Sequence, residues 1–292
     1  MAETRGRVIV ITGASGGIGA ELARQLGRAG HTIVLAARRE AELRRAAADA
    51  GARALAVVTD VTQRASMEAL RDAALREFGR VDVWVNNAGR GITRSVLELT
   101  DADVDEMMTV NVKSALYGMQ AIIPHFVERG AGHLINVSSF LGRVPLAAHR
   151  SAYNAAKAAL NALTANLRMD LAARYPEIHV SLVMPGVVTT DFARNALGDQ
   201  APPAPAPAGG VMRPQSVEEA TATIAALVDH PAAELYTNPA SSEVARRYFE
   251  DVGAFEARAR AMIAAASGGA ASGGAASGGA APAQRGVSES TA

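Results

Sequence analysis

The feature that most constrains this chain is a strict alternation of short apolar runs with helical segments. Residues 8–11 (VIVI), 32–37 (TIVLAA), 54–58 (ALAVV), 81–85 (VDVWV), 133–137 (HLINV) and 179–184 (HVSLVM) are short and rich in β-branched residues. Such runs suit strands buried on both faces. Helical patterns fill the intervals: one closing at Gly30, then about 39–50, 64–78, 101–129 and a segment reaching about 175. Alternation of this kind predicts βαβ units, right-handed crossovers and a parallel sheet with helices on both faces. Ligands of such sheets bind at the carboxyl ends of the strands. The strand-end residues are Gly13, Arg38, Asp60, Asn86, Ser139 and Pro185, so the chemistry-bearing motifs gather on one edge.

The first strand enters Thr12-Gly-Ala-Ser-Gly-Gly-Ile-Gly19 and then a helix. A strand–glycine turn–helix offers free helix N-terminal amides to a pyrophosphate. The spacing Gly13-xxx-Gly17-x-Gly19 departs from GxGxxG, and no GK[ST] follows, which excludes a P-loop. Dinucleotide sites place an acid at the end of the second strand for an NAD ribose, or an arginine for the 2′-phosphate of NADP. Here that strand ends Ala36-Ala37-Arg38-Arg39, which favours NADP over NAD.

Tyr153 and Lys157 lie four apart in a helical segment and therefore share a face. An ammonium near a phenol favours the phenolate and lowers its pKa, giving a proton donor and acceptor near neutral pH. Lys113 and Lys157 are the only lysines among 29 basic residues, so a lysine at this place stands out.

Other function classes find little support. The net charge is zero with no basic run, which speaks against nucleic acid as a partner. The absence of cysteine excludes disulfides and thiolate metal sites. The six histidines show no HxH or HxxxH spacing, so no metal is expected. The cluster 101–106 (DADVDE) is explained by Thr100 as N-cap with Asp103 in a capping box. No leader and no apolar run of membrane-spanning length is found, which predicts a soluble, cytoplasmic protein. Residues 1–265 read as one domain with a flexible substrate loop near 191–215, a helix over 216–230, a seventh strand at 234–238 and a helix over about 241–265. Within that loop the Pro/Ala/Gly-rich stretch 201–210 suits a lid or, equally, a floppy surface insertion, and Phe192, Leu197, Val211 and Met212 suggest an apolar substrate. Residues 266–292, Ser/Gly/Ala-rich, read as a disordered tail.

Taken together these motifs resemble the single-domain branch of the short-chain dehydrogenase/reductase family, over about residues 5–238. The resemblance implies a doubly wound Rossmann-type sheet of about seven strands in the order 3-2-1-4-5-6-7. It implies cofactor contacts from Gly13, Ser15, Gly17, Ile18 and Gly19, from Arg38, from Asp60 and Val61 at the adenine, and from Asn87, Ala88 and Gly89 of the NNAG motif. Pro185, Gly186, Val188 and Thr190 would hold the nicotinamide carboxamide. It makes Asn111, Ser139, Tyr153 and Lys157 the catalytic set, with Tyr153 and Lys157 also touching the cofactor and Ser138 as the fallback serine. The implied reaction is NADP(H)-dependent interconversion of a small carbonyl compound and its alcohol by hydride transfer. Alternatives are a catalytically idle NADP-binding regulator or scaffold and a non-redox chemistry on a held cofactor. Helices 101–129 and 151–175 would build a homodimer or homotetramer. One departure stands out: Ser139 to Tyr153 spans 14 positions, one more than is usual in the family. The extra residue falls within Arg143–Arg150, near the substrate entrance.

Overall fold

The structure is a computed structural model and describes residues 6–192, 194–198 and 213–272. The 201–210 stretch, Val211, Met212 and the chain beyond 272 lie outside the described residues. In chain order the first half comprises β1 (Val8–Thr12), α1 (Gly17–Arg28), β2 (Thr32–Ala37), α2 (Glu40–Ala50), β3 (Ala54–Val58), α3 (Arg64–Phe78), β4 (Val83–Asn86), β5 (Ile92–Thr93) and α4 (Asp101–Met108). After a π-helical segment, Thr109–Lys113, come α5 (Ser114–Arg129), β6 (Gly132–Val137), α6 (Ser151–Ala172), β7 (Ile178–Met184) and β8 (Leu197–Gly198). The remainder is α7 (Val217–Ala226), β9 (Glu234–Tyr236), α8 (Ser241–Glu250) and α9 (Val252–Ser272).

Seven strands form one parallel sheet in the order β3-β2-β1-β4-β6-β7-β9. Setting aside the two-residue strands β5 and β8, this is the expected order 3-2-1-4-5-6-7. Every residue of β1, β2 and β4 is buried, because helices cover both faces. Ile9, Ile11, Ile33, Leu35, Val83 and Val85 pack against Leu22, Leu26, Leu43 and Ile224 of α1, α2 and α7. Their alternates, Val8, Val10, Val34, Trp84 and Leu134, pack against Leu70, Met119, Phe126 and Leu160 of α3, α5 and α6. This period-two division along each strand is the register that puts the strand ends, and the site, on one edge.

Four details differ from the expectations. The single helix expected over 101–129 is interrupted by the π segment, which holds Asn111. The helix expected over 241–265 breaks at Asp251, whose extended backbone and side chain (Oδ1 accepting the Ala254 N–H at 2.9 Å) start a new helix. That helix continues to Ser272, past the expected boundary at Ala266, through a run rich in alanine, the strongest helix former. Leu197–Gly198, inside the expected loop, pairs with Ile92–Thr93.

Candidate active site

The glycine turn is shaped by contact on both sides. Gly13 has φ 67°, and a Cβ there would stand 2.8 Å from Ala88 Cα. A Cβ on Gly19 would stand 2.5 Å from the Gly13 carbonyl oxygen and 2.6 Å from Asn87 Nδ2. The turn therefore folds flat against the end of β4. Asn87 Nδ2 donates to the Thr12 carbonyl at 2.9 Å, while Thr12 Oγ1 accepts the N–H groups of Asn87 (3.0 Å) and Ala88 (3.1 Å). Ile18 packs into the core behind the turn. The N-terminus of α1 has no side-chain cap, so its first amides remain available to a ligand anion.

At the end of β2 the two arginines behave differently. Both are exposed, but Arg39 alone of the two donates to Ser15 Oγ, from Nη2 (3.0 Å) and Nε (3.3 Å). Arg39 thus stands over the glycine turn, a placement that sequence reasoning missed by favouring its neighbour. Asp60 follows β3; its Oδ1 accepts the Thr62 N–H (3.0 Å) and hydroxyl (2.8 Å), and Val61 beside it packs into the core. A carboxylate held this way is oriented by its own loop.

Past β7, buried Pro185 receives the Phe140 N–H on its carbonyl at 2.8 Å. Gly186 follows, and Val188 bridges to Gln215. Thr190 lies over the turn, its Cγ2 3.6 Å from the Cβ position of Gly17. The glycine turn, the β4 end and this segment lie together on one edge of the sheet.

The catalytic candidates meet on the same edge. Tyr153 and Lys157 lie on successive turns of α6, 7% and 3% exposed, with Lys157 Nζ 5.7 Å from the Tyr153 ring centre. Ser139 ends the segment after β6; its Oγ accepts the Leu141 N–H at 3.2 Å and lies against the Tyr153 phenol. Ser138 points the other way, donating to Asn161 Oδ1 at 2.5 Å and to the Lys157 carbonyl at 3.2 Å. The structure thus places Ser139 beside Tyr153 and gives Ser138 a packing role. Asn111, 1% exposed, donates to the carbonyls of Arg90 (2.9 Å) and Met107 (3.1 Å) and accepts the Arg90 N–H on Oδ1 (3.2 Å). The Cβ position of Gly89 is 2.9 Å from Asn111 Oδ1 and 3.4 Å from Lys157 Nζ, so only a glycine lets those two groups approach one another.

The electrostatics correct one expectation. Tyr153 is pushed up to about 12, because burial outweighs the relief from Ser139 and from the Arg150 charge. Lys157 contributes none of that relief. Its ammonium donates to the Val137 carbonyl at 3.0 Å and is itself pulled down to about 8 by burial. In the free protein, then, the phenol is protonated and the lysine sits near its own titration point. Arg150, which belongs to the loop of irregular length, is a cation that lowers the Tyr153 pKa.

Phe192 covers Tyr153, with ring centres 5.5 Å apart. Leu197 packs with Tyr153, Ile92 and Met107. Among the described residues, no group of three or more His, Cys, Asp or Glu is placed to hold a metal ion, and no helix is long and apolar enough to cross a membrane.

Comparison with known proteins shows the family. The family model described as short chain dehydrogenase matches residues 7–201, and the chain belongs to that family. An uncharacterized oxidoreductase of Staphylococcus epidermidis is 34% identical over 190 residues, covering 65% of this chain and 81% of its own. A short chain dehydrogenase/reductase from Burkholderia phymatum, solved with NAD, superposes with TM-score 0.76 at 29% identity, over 86% of this chain and 96% of its own. An alcohol dehydrogenase from Thermococcus sibiricus, solved with 5-hydroxy-NADP, gives TM-score 0.68 at 28% identity, over 80% and 96%.

Proposed function

We propose that the protein reduces a small carbonyl compound to its alcohol with NADPH, and catalyses the reverse oxidation, using Tyr153 as general acid and base. The observation that carries this reading is the meeting of a protonated, buried Tyr153 with Ser139 and Lys157 on the sheet edge that also carries the glycine turn. The glycine turn fits a dinucleotide: Gly13 and Gly19 let it fold close against Ala88 and Asn87, and the α1 amides are left uncapped for a phosphate. When bound, the cofactor supplies the hydride that adds to the carbonyl carbon.

Tyr153 gives its proton to the carbonyl oxygen, so the product alcohol gains one hydride and one proton. A phenol held protonated in the free protein is ready for this direction. Ser139 hydrogen-bonds the same oxygen and stabilises the charge developing on it. Lys157, released from the Val137 carbonyl, would hold the ribose, and Asn111 across Gly89 would link Lys157 to the protons of solvent. Gly13, Ser15, Gly17, Ile18 and Gly19 would carry the pyrophosphate, Asp60 and Val61 the adenine, and Asn87, Ala88 and Gly89 the adjoining ribose. Pro185, Gly186, Val188 and Thr190 would bracket the carboxamide. Arg38 and Arg39 favour the 2′-phosphate, hence NADP, although the solved relatives include both NAD and NADP complexes. Ala155, Ala158 and Ala162 form an exposed small-residue face on α6, which supports close packing of a second copy.

The test is Tyr153→Phe, followed through NADPH consumption with a panel of ketones and aldehydes. Turnover should fall by roughly 10²–10⁴-fold with NADPH binding nearly intact. A variant that keeps most of its activity overturns the assignment. A wild-type protein that consumes NADPH with none of them favours the idle reading.

A further inference from the structure

Arg150 places its charge near Tyr153, and nothing in the reaction as proposed requires a cation there. It ends the loop that is one residue longer than usual and immediately precedes α6. The loop is fixed in place by its backbone. Arg94 N–H donates to the His149 carbonyl at 2.8 Å, Arg150 bridges to Arg94, and Asn154 Nδ2 donates to the Ala147 carbonyl at 3.0 Å. Held so, Arg150 turns its guanidinium inward. Nη1 donates to the Ile92 carbonyl at 3.3 Å and comes within 3.1 Å of the Cβ position of Gly91. Phe192 Cε1 is 2.9 Å from that same position, and the Phe192 ring lies on Tyr153. Arg150, Phe192 and Tyr153 therefore meet in one small region, with Arg150 and Phe192 packed over Gly91.

The charges around this space are unevenly matched. Arg90 pairs with Glu106 at 3.2 Å, Arg94 with Asp103 at 3.6 Å, and Arg194 with Asp191 at 3.4 Å. Among the described residues, no carboxylate lies within ion-pair distance of Arg150. A half-buried guanidinium has five N–H donors, and here it makes one bond, to a neutral carbonyl. Its flat fork matches a carboxylate through two parallel hydrogen bonds, a geometry that a neutral ligand group cannot fill.

The geometry points to Arg150 as the specificity-determining residue, one that receives a carboxylate carried by the carbonyl substrate a few bonds from the reacting carbon. Phe192 supplies the apolar wall for the short chain between the two groups. This narrows the expectation of an apolar substrate: the chain is apolar and its end is anionic. The inference rests on the proposed reductase reading, and the experiment separates the two.

NADPH-linked kinetics would be measured with matched pairs, levulinate against methyl levulinate and acetoacetate against methyl acetoacetate, in the wild type, Arg150→Met and Arg150→Lys. Because Arg150 also acts on Tyr153, the informative quantity is the acid-to-ester ratio of kcat/KM, in which a common effect on the tyrosine cancels. The wild type should prefer the acids, and Arg150→Met should lower the ratio by about tenfold or more, chiefly through KM, since a site built for a charged group loses its discrimination when that group has no partner. Arg150→Lys should recover part of it. In parallel, calorimetry of levulinate binding to the NADP⁺-loaded protein needs no turnover, and the Met variant should bind about tenfold or more weakly, a tenfold loss being what one good charged contact is worth. An unchanged ratio together with Arg150-independent binding overturns the proposal while ester turnover leaves the reductase reading standing. Binding that depends on Arg150, without reduction of any carbonyl, keeps the anion site and overturns the reductase reading. Should Arg150→Met fail to fold, Arg150→Gln carries the same comparison.

Discussion

Lys157 donates its ammonium to the Val137 carbonyl across a distance of 3.0 Å, joining α6 to the last residue of β6. That bond takes the ammonium to β6, while the Tyr153 ring centre, one helical turn away, stands 5.7 Å from it. Lysine is therefore held in reserve in the free protein. Burial penalises its charge and offers a single neutral acceptor in return, so the residue is a cost to the fold that only a ligand offsets.

The first prediction concerns that cost. Burial pulls Lys157 from 10.5 to about 8, so between these values the unfolded chain holds a proton that the folded protein has shed. Stability then rises with pH across the window, and below pH 8 the whole penalty is in force. It amounts to about 3 kcal/mol, less about 1 kcal/mol for the bond to Val137. Lys157→Met should make the cofactor-free protein more stable than wild type at pH 7, and the gain should fade by pH 10. Urea unfolding at both pH values checks it, and a variant less stable at pH 7 contradicts it.

Tyr153 gives the opposite slope. Its pKa, raised from 10 to about 12, means that between these values the unfolded chain loses a proton that the folded protein keeps. Stability present below pH 10 is lost as pH rises towards 12. Tyr153→Phe should flatten that decline relative to wild type in the same unfolding series, leaving the lysine-dependent rise below pH 10 in place. Identical curves above pH 10 would show that the phenol titrates normally.

Ser138 and Ser139 should separate cleanly. Ser138→Ala leaves Asn161 Oδ1 without its donor in a buried place and should cost about 1–3 kcal/mol of stability with kcat largely kept. Ser139→Ala removes a donor aimed at the reacting oxygen and should lower kcat about 10²–10³-fold with little change in stability. Melting temperature and kcat measured on both variants decide the matter, and exchanged phenotypes would move the catalytic role to Ser138.

Why the sequence alone left these two open is instructive. Adjacent residues of an extended segment point to opposite sides, so the choice depends on register, which the SS pair does not reveal. The sheet and the glycine turn were legible because buried parallel strands are apolar throughout and because Gly13 and Gly19 must be glycine for steric reasons. The π segment at Thr109–Lys113 was not, since TVNVK contains no proline or glycine and one extra residue in a turn hardly disturbs the apolar period. Arg150 lay inside the loop singled out for its length, but which loop residue reaches the site depends on the backbone path past Arg94. Likewise four-residue spacing put Lys157 beside Tyr153 without showing that its ammonium would turn to Val137.

Gly19 should tolerate no side chain. Its Cβ would meet the Gly13 carbonyl and the Asn87 amide, which are themselves tied to Thr12. Gly19→Ala should cost about 1–3 kcal/mol by overpacking and abolish dinucleotide binding. Gly16→Ala serves as the control for the fold: its backbone is fully extended and its Cβ would stand 3.4 Å from the mobile end of Arg39. Its stability should stay within about 0.5 kcal/mol of wild type, as for a surface change. Equal melting temperatures for all three proteins would show that the turn is looser than described.

Cofactor choice tests the two arginines that end β2. Arg39 already holds Ser15 in the glycine turn, and Arg38 extends into solvent one residue earlier. A 2′-phosphate would meet Arg39 where Ser15 now does, with Arg38 free to close from outside. Each charge-assisted contact of this kind is worth about 1.5–3 kcal/mol, or roughly ten- to a hundredfold in affinity. Arg39→Ala and Arg38→Ala should therefore each raise the KM for NADPH by about that factor. NADH lacks the phosphate, so its KM should hardly move, and kcat with either cofactor should be kept because the nicotinamide end is untouched. If Arg39→Ala impairs NADH as much as NADPH, the Arg39–Ser15 bond serves to shape the turn, and the choice between cofactors falls to Arg38 alone.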